Sequence, residues 1–129
     1  MNERTPGVYQ LLLHVDRPVS VRIGRLGRFA FPAGWYVYTG SAMGGLEARI
    51  ARHGRRRKRL HWHIDYLLTK ARLIDVVMTP TRELIECVRN REALALPGAS
   101  VIVPRFGASD CRCRSHLVYF GAARPELTS

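Results

Sequence analysis

The alternation of apolar and polar positions breaks the chain into short segments separated by turn residues. Gly7 to Val15 (GVYQLLLHV) is apolar almost throughout, follows Pro6, and predicts a first strand. Asp16-Arg17-Pro18 is a turn. Val19, Val21 and Ile23 then alternate with polar residues, which predicts a second strand. Gly24 to Gly27 makes a tight connection to a short third strand at Arg28 to Phe31. Pro32-Ala33-Gly34 turns into a fourth strand at Trp35 to Thr39, whose aromatic and β-branched residues favour extended backbone. The first forty residues therefore predict an antiparallel meander.

The period changes after Gly40. Ser41, Ala42, Met43, Gly44 and Gly45 are small or permissive, and Leu46 to His53 carries apolar residues at 46, 50 and 51, as a short helix would. Arg55-Arg56-Arg57-Lys58-Arg59 reads as a solvated basic loop. His61-Trp62-His63-Ile64-Asp65-Tyr66-Leu67-Leu68 begins a second helix, and Leu73 to Met78 predicts another strand. Thr81 is the expected N-cap of a third helix that runs to about Ala95 and stops at Pro97-Gly98. Val101 to Val103 reads as extended, Phe106 to Ser115 as a polar loop, and Leu117 to Phe120 as the last strand. The final residues read as loose. The expectation is one domain over residues 1–129, of α/β (α+β) class, with a mixed, largely antiparallel central sheet flanked by helices.

Composition narrows the class. A hydrophobic fraction of 47% in 129 residues is enough for one core and excludes a disordered chain. No apolar run approaches the ~20 residues needed to span a bilayer. The N-terminus lacks the basic and apolar regions of a signal peptide, so the expected compartment is the cytoplasm, with no membrane partner. Basic residues outnumber acidic ones 21 to 10, for a net charge of +11, and apart from Lys58 and Lys70 they are all arginine. Arginine forks a phosphate bidentately where lysine does not. The charge therefore favours a polyanion, nucleic acid before an anionic membrane surface.

Several stretches carry candidate chemistry. A strand that ends at Gly40 and feeds a helix offers its last side chains and backbone N–H groups to a phosphate above the turn. Tyr36 and Tyr38 share one strand face, where core packing is the competing role. In HWHIDYL, His61 and Asp65 stand four apart, a spacing suited to a supporting hydrogen bond or a helix-start cap, with too few ligands for a metal site. Cys111, Cys113 and His116, with Cys87 elsewhere, total four soft ligands. Their C-x-C spacing is tighter than usual for structural zinc, and Cys87 suits a helix core. The stretch around Cys111 thus reads first as a polar loop lining a cleft, with Ser109, Asp110 and Ser115 hydrogen-bonding there, and zinc as the alternative. Three cysteines without a secretion signal argue against a disulfide framework.

Gly7-Val8-Tyr9 opens the first strand and Tyr38-Thr39-Gly40 closes the fourth; Arg49 follows on a helix, and Glu86 on a later one. This ordered set resembles the GIY-YIG nuclease superfamily. HWHIDYL at 61–67 and FGASDCRCRSHL at 106–117 resemble its Uri-type branch, long known as a domain of unknown function. The chain differs from common members in the segment from Asp16 to Ala33, which adds a hairpin between the two tripeptides. The resemblance implies a nuclease in which Glu86 holds Mg²⁺ or Mn²⁺, Arg49 clamps the phosphate, Tyr9 or Tyr38 orients or deprotonates the water, and His53 relays a proton. Gly40, Ser41, Arg52, Arg55, Arg56, Arg57, Lys58, Arg59, His61, His63 and Ser109 are expected to line the nucleic-acid surface. Other roles remain open: Arg49 as a surface arginine, Glu86 as a solvent-facing residue with Glu83 as rival ligand, and His53 as a structural histidine at a helix end. DNA is the expected substrate. The alternatives are an RNA-directed nuclease of the same fold and a non-catalytic nucleic-acid-binding module.

Overall fold

A computed structural model of the chain describes residues 5–128. β1 (Gly7–Val15) is apolar along most of its length because both of its edges and both of its faces are covered. It pairs on one side with β4 (Gly34–Ala42), from Gly7 opposite Ala42 to Val15 opposite Gly34, and on the other with β5 (Arg72–Pro80). β6 (Leu117–Gly121) completes the order β5-β1-β4-β6, and every ladder in it is antiparallel. The fold is α+β, as the pattern predicts, with an antiparallel rather than mixed sheet.

The predicted meander does not form. β2 (Val19–Ile23) and β3 (Gly27–Phe31) pair only with each other, as a separate two-stranded sheet. The β2–β3 hairpin therefore leaves the main sheet, and β4 returns to pair directly with β1. Val21, Ile23 and Phe31 bury their apolar side chains in the main core, which anchors the hairpin to it.

The main sheet has two different faces. Tyr9, Leu11, Leu13 and Val15 alternate along β1 and join Tyr36 and Tyr38 of β4 in one core. α1 (Leu46–His53) and α2 (His63–Leu67) contribute Leu46, Ile64 and Leu67 to it, and Phe106 packs in from the loop before β6. The opposite face holds Leu12, Val37, Val118 and Phe120, covered by Ala93 of α3 (Glu86–Leu94). Gln10 on that face is buried and satisfied, donating to Thr39 Oγ1 and to the Arg89 carbonyl.

Three boundaries differ from expectation. α3 starts at Glu86, because Thr81 does not cap it; the Thr81 hydroxyl instead accepts from the Glu83 N–H in a turn. Ser100 makes a single bridge to Tyr119, and the expected extended segment after it is turned inward to bury Val103. The C-terminal residues are held rather than loose: Leu127 packs on the second core, and Arg89 donates to the Thr128 carbonyl. No helix among the described residues is long and apolar enough to cross a membrane.

Candidate functional site

The sheet register brings the two tyrosines together. Tyr9 stands opposite Gly40, and Tyr38, two residues back on β4, is its diagonal neighbour on the same face. Their ring centroids are 6.3 Å apart. A Cβ at Gly40 would lie 2.5 Å from the Tyr9 hydroxyl oxygen and 3.0 Å from the Tyr38 ring, so the glycine exists to admit the rings. At Gly7 a Cβ would meet the Thr79 carbonyl oxygen at 2.5 Å and Leu46 Cδ1 at 2.6 Å, so this glycine lets β5 and α1 close on β1.

The Tyr9 hydroxyl is 2.7 Å from His53 Nε2, at the last turn of α1. Burial pushes the Tyr9 phenol up to about 12, partly offset by the nearby Arg49 cation, and pushes Tyr38 well above its usual value. Burial, with Lys58 close by, pushes His53 down to about 4. All three groups are therefore neutral near pH 7. His53 Nδ1 is buried without a hydrogen-bond partner among the described residues.

α1 and α2 are locked to each other through Asp65. Its fully buried carboxylate accepts from the Trp62 and His61 backbone N–H groups, which caps the start of α2. It also takes a bidentate pair from Arg52 at 2.7 and 2.9 Å. Burial raises the Asp65 carboxyl, but Arg52 and the two N–H groups outweigh it and hold it below the usual range. Arg52 is thus committed to Asp65 and not free to clamp a phosphate. His61 meets Asp65 through its backbone rather than its side chain. Arg49 donates to the Ser41 carbonyl at 2.8 Å, and its guanidinium lies 4.3 Å from the centroid of the Trp62 ring, with Arg52 at 4.4 Å from the same centroid.

Glu86 occupies the first turn of α3, half-buried, with Oε2 2.7 Å from His116 Nδ1. Burial raises its carboxyl, but hydrogen bonds with His116 and Ser41 prevail and hold it below the usual value. Glu83, the rival ligand, is exposed and lies outside α3, so it shares no helical face with Glu86. Behind Glu86, one donor atom each from Cys87, Cys111, Cys113 and His116 lie within 4.8 Å of one another. These residues could hold a metal ion, and their soft donors do not suit Mg²⁺. The loop lines the cleft as expected, through Gly107, Ser109, Asp110 and Cys111, but the placement of Ser115 needs correcting. Ser115 exchanges hydrogen bonds with the Leu117 backbone and is fully buried, away from the cleft.

A cleft of about 620 Å³ is lined by Tyr38, Ser41, Trp62, His63, Glu86 and Ser109, and His61 also borders it. His63 accepts from the Gly107 N–H at 2.8 Å, which ties α2 to the cysteine-bearing loop. A second cleft, about 790 Å³, is lined by His53, Arg55, Arg56 and Lys58. Arg55, Arg56, Arg57 and Arg59 are exposed, whereas Lys58 donates to the Arg52 and His53 carbonyls at the end of α1. The pairing of His116 with Glu86 and the stacking of two arginines on Trp62 escaped the sequence reading. His116 was marked there only by its spacing from Cys113, and Trp62 only as a neighbour of His61.

No curated protein and no solved structure matches the chain. The family model of the domain of unknown function DUF123 matches residues 8–128, from the second residue of β1 through β6. The chain belongs to the DUF123 family.

Proposed function

We propose that this chain is a divalent-metal-dependent nuclease of GIY-YIG type that hydrolyses phosphodiester bonds in DNA. The observation that carries the proposal is the convergence, around one cleft, of the Glu86 carboxylate, the Tyr38 ring and the Ser41 backbone that holds Arg49. The two signature tripeptides also lie side by side on β1 and β4, so that their tyrosines and glycines form one packed unit.

The chemistry follows from the residues. Arg49 presents a planar fork of five N–H donors, held by the Ser41 carbonyl and the Tyr9 hydroxyl, and can take a phosphate's non-bridging oxygens with the rest. Tyr9 and Tyr38 stay protonated, which suits orienting a water rather than deprotonating it. His53, neutral and 2.7 Å from Tyr9, fixes the direction of its hydroxyl. Glu86 and the Ser41 hydroxyl that bonds it place two hard oxygen donors at the cleft, which fits Mg²⁺ or Mn²⁺. Such an ion, when bound, supplies charge neutralisation at the phosphate.

The test is a panel of single-stranded, duplex and branched DNA and RNA, with and without Mg²⁺ or Mn²⁺. DNA cleavage that needs the metal and disappears in Glu86→Gln, while binding persists, supports the proposal. Absence of cleavage on every substrate, or full activity in Glu86→Gln, would overturn it.

A further inference from the structure

His116 is the point from which the soft-ligand cluster is best understood. Its imidazole is fully buried, and Nδ1 faces two acceptors, Glu86 Oε2 at 2.7 Å and the Thr39 carbonyl at 3.0 Å. Nδ1 therefore carries a hydrogen, and in the neutral ring the lone pair is left on Nε2. Nε2 points at sulfur: Cys111 Sγ lies at 3.3 Å and Cys87 Sγ at 3.8 Å. A tetrahedral zinc with Zn–S near 2.3 Å and Zn–N near 2.0–2.1 Å has an S···N edge of about 3.6 Å, which these two distances bracket. Cys113 completes the group, since all four donor atoms lie within 4.8 Å of one another.

The surrounding backbone is shaped for this convergence. Arg105, at a left-handed φ of 67°, donates to the Ala108, Cys111 and Cys113 carbonyls and so gathers the loop around its own guanidinium. The His116 N–H donates to the Phe106 carbonyl at 2.7 Å, closing the loop's base. Cys87 arrives from a different element, the first turn of α3. A disulfide could join two of the three thiols, but it would leave the third, and the imidazole, without the partner toward which both are turned.

We propose that Cys87, Cys111, Cys113 and His116 bind one Zn²⁺ in a closed tetrahedral site, and that the zinc-bound His116 positions Glu86. Four protein ligands leave no open position, so the ion is structural. It ties α3 to the loop before β6 across the end of β4. The Glu86–His116 hydrogen bond is then a carboxylate–histidine–zinc arrangement, in which Glu86 orients the imidazole and is itself held in place. The site uses a different donor set from the Glu86 and Ser41 oxygens, although Cys87 and Cys111 line the same cleft, and its test needs no nucleic acid, so it stands or fails apart from the nuclease proposal.

The protein is produced without a metal-binding tag, under reducing conditions, and its metals are counted by mass spectrometry alongside a free-thiol titration. One zinc per chain is expected, lost in Cys113→Ser and Cys111→Ser. Because those variants risk misfolding, the wild-type chain is also reconstituted with Co²⁺, whose absorption distinguishes thiolate ligation in a tetrahedral field. In a chelator competition, Glu86→Gln keeps all four ligands and should lower zinc affinity by on the order of 10–100-fold. A folded chain with three free thiols and no bound zinc, a native disulfide among the cysteines, or a cobalt spectrum without thiolate bands would overturn the site. Unchanged zinc affinity in Glu86→Gln would break its link to Glu86.

Discussion

The two clefts border the same α1–α2 segment, yet they are built differently. The larger is rimmed by exposed arginines, and its charge comes from side chains that reach into solvent. In the smaller, the polar groups are held by neighbours: Glu86 by His116 and His63 by the Gly107 N–H, while Arg49 packs against the lining residues Ser41 and Trp62. Size is the poorer guide to chemistry, because a reaction needs groups fixed before the substrate arrives, whereas attraction of a polyanion needs only charge. Under the proposed function, attraction would fall to the larger cleft and reaction to the smaller.

The strongest way to break this contrast is to remove what separates the clefts. Asp65→Ala strands Arg52 and uncaps α2. Removal of one partner from a buried pair costs about 3–5 kcal/mol, and Arg52's 22% exposure places the loss toward the lower end. Urea unfolding should show that loss; a change below ~1 kcal/mol would mean that the two helices are held by packing alone.

A smaller effect is expected at Arg49, beside the smaller cleft. Arg49→Lys keeps the charge but not the planar fork, and should slow single-turnover cleavage by on the order of 10²–10³ with little change in thermal stability. A near-normal rate would reduce Arg49 to a general attractive charge, like those of the larger cleft.

His53 borders the larger cleft and bonds Tyr9, and its burial makes a pH prediction. Its folded pKa of about 4 lies below the ordinary 6.5, so between these values the unfolded chain binds the extra proton. Stability is then complete above about pH 6.5 and falls as pH drops toward 4. The groups that bear on it are Tyr9 on β1, Arg49 and Arg52 on α1, Lys58 in the basic loop and Asp65 on α2. The loss from pH 7 to 5 should be on the order of 2 kcal/mol. His53→Gln should flatten that slope in denaturant titrations. An equal slope in both proteins would show that His53 stays solvated.

The mildest effect belongs to the basic loop. Replacing Arg55 and Arg56 with glutamine should weaken DNA binding severalfold and reduce the log–log salt slope by roughly 0.7–0.9 per lost phosphate contact. Cleavage of already bound substrate should be unchanged. A lowered single-turnover rate at saturation would place the loop in the reaction after all.

Much of this architecture is legible in order along the chain. β1 and α1 match their predicted bounds, because a continuous apolar run and a short helical period are local signals. The start of α3 was misplaced because Thr81 has the chemistry of a cap but spends its hydroxyl on a local turn. The meander failed for a different reason. Strand pairing is decided by which partner buries the most apolar surface, and β1 gains more from β4 along its full length than from the short, half-polar β2.

The candidate site divides in the same way. The residue types and their order, two tyrosines with their glycines, an arginine, a glutamate and a set of soft ligands, were fixed by the sequence alone, since each type carries its own chemistry. Only the tertiary structure decided which of them meet. It put Tyr9 over Gly40, gave Arg52 to Asp65 while leaving Arg49 beside Ser41, and joined Cys87 to Cys111, Cys113 and His116 from separate elements. These contacts span tens of residues, and local pattern carries no information about them; they arise because closing the sheet and burying both of its faces leaves each side chain only one neighbourhood to occupy.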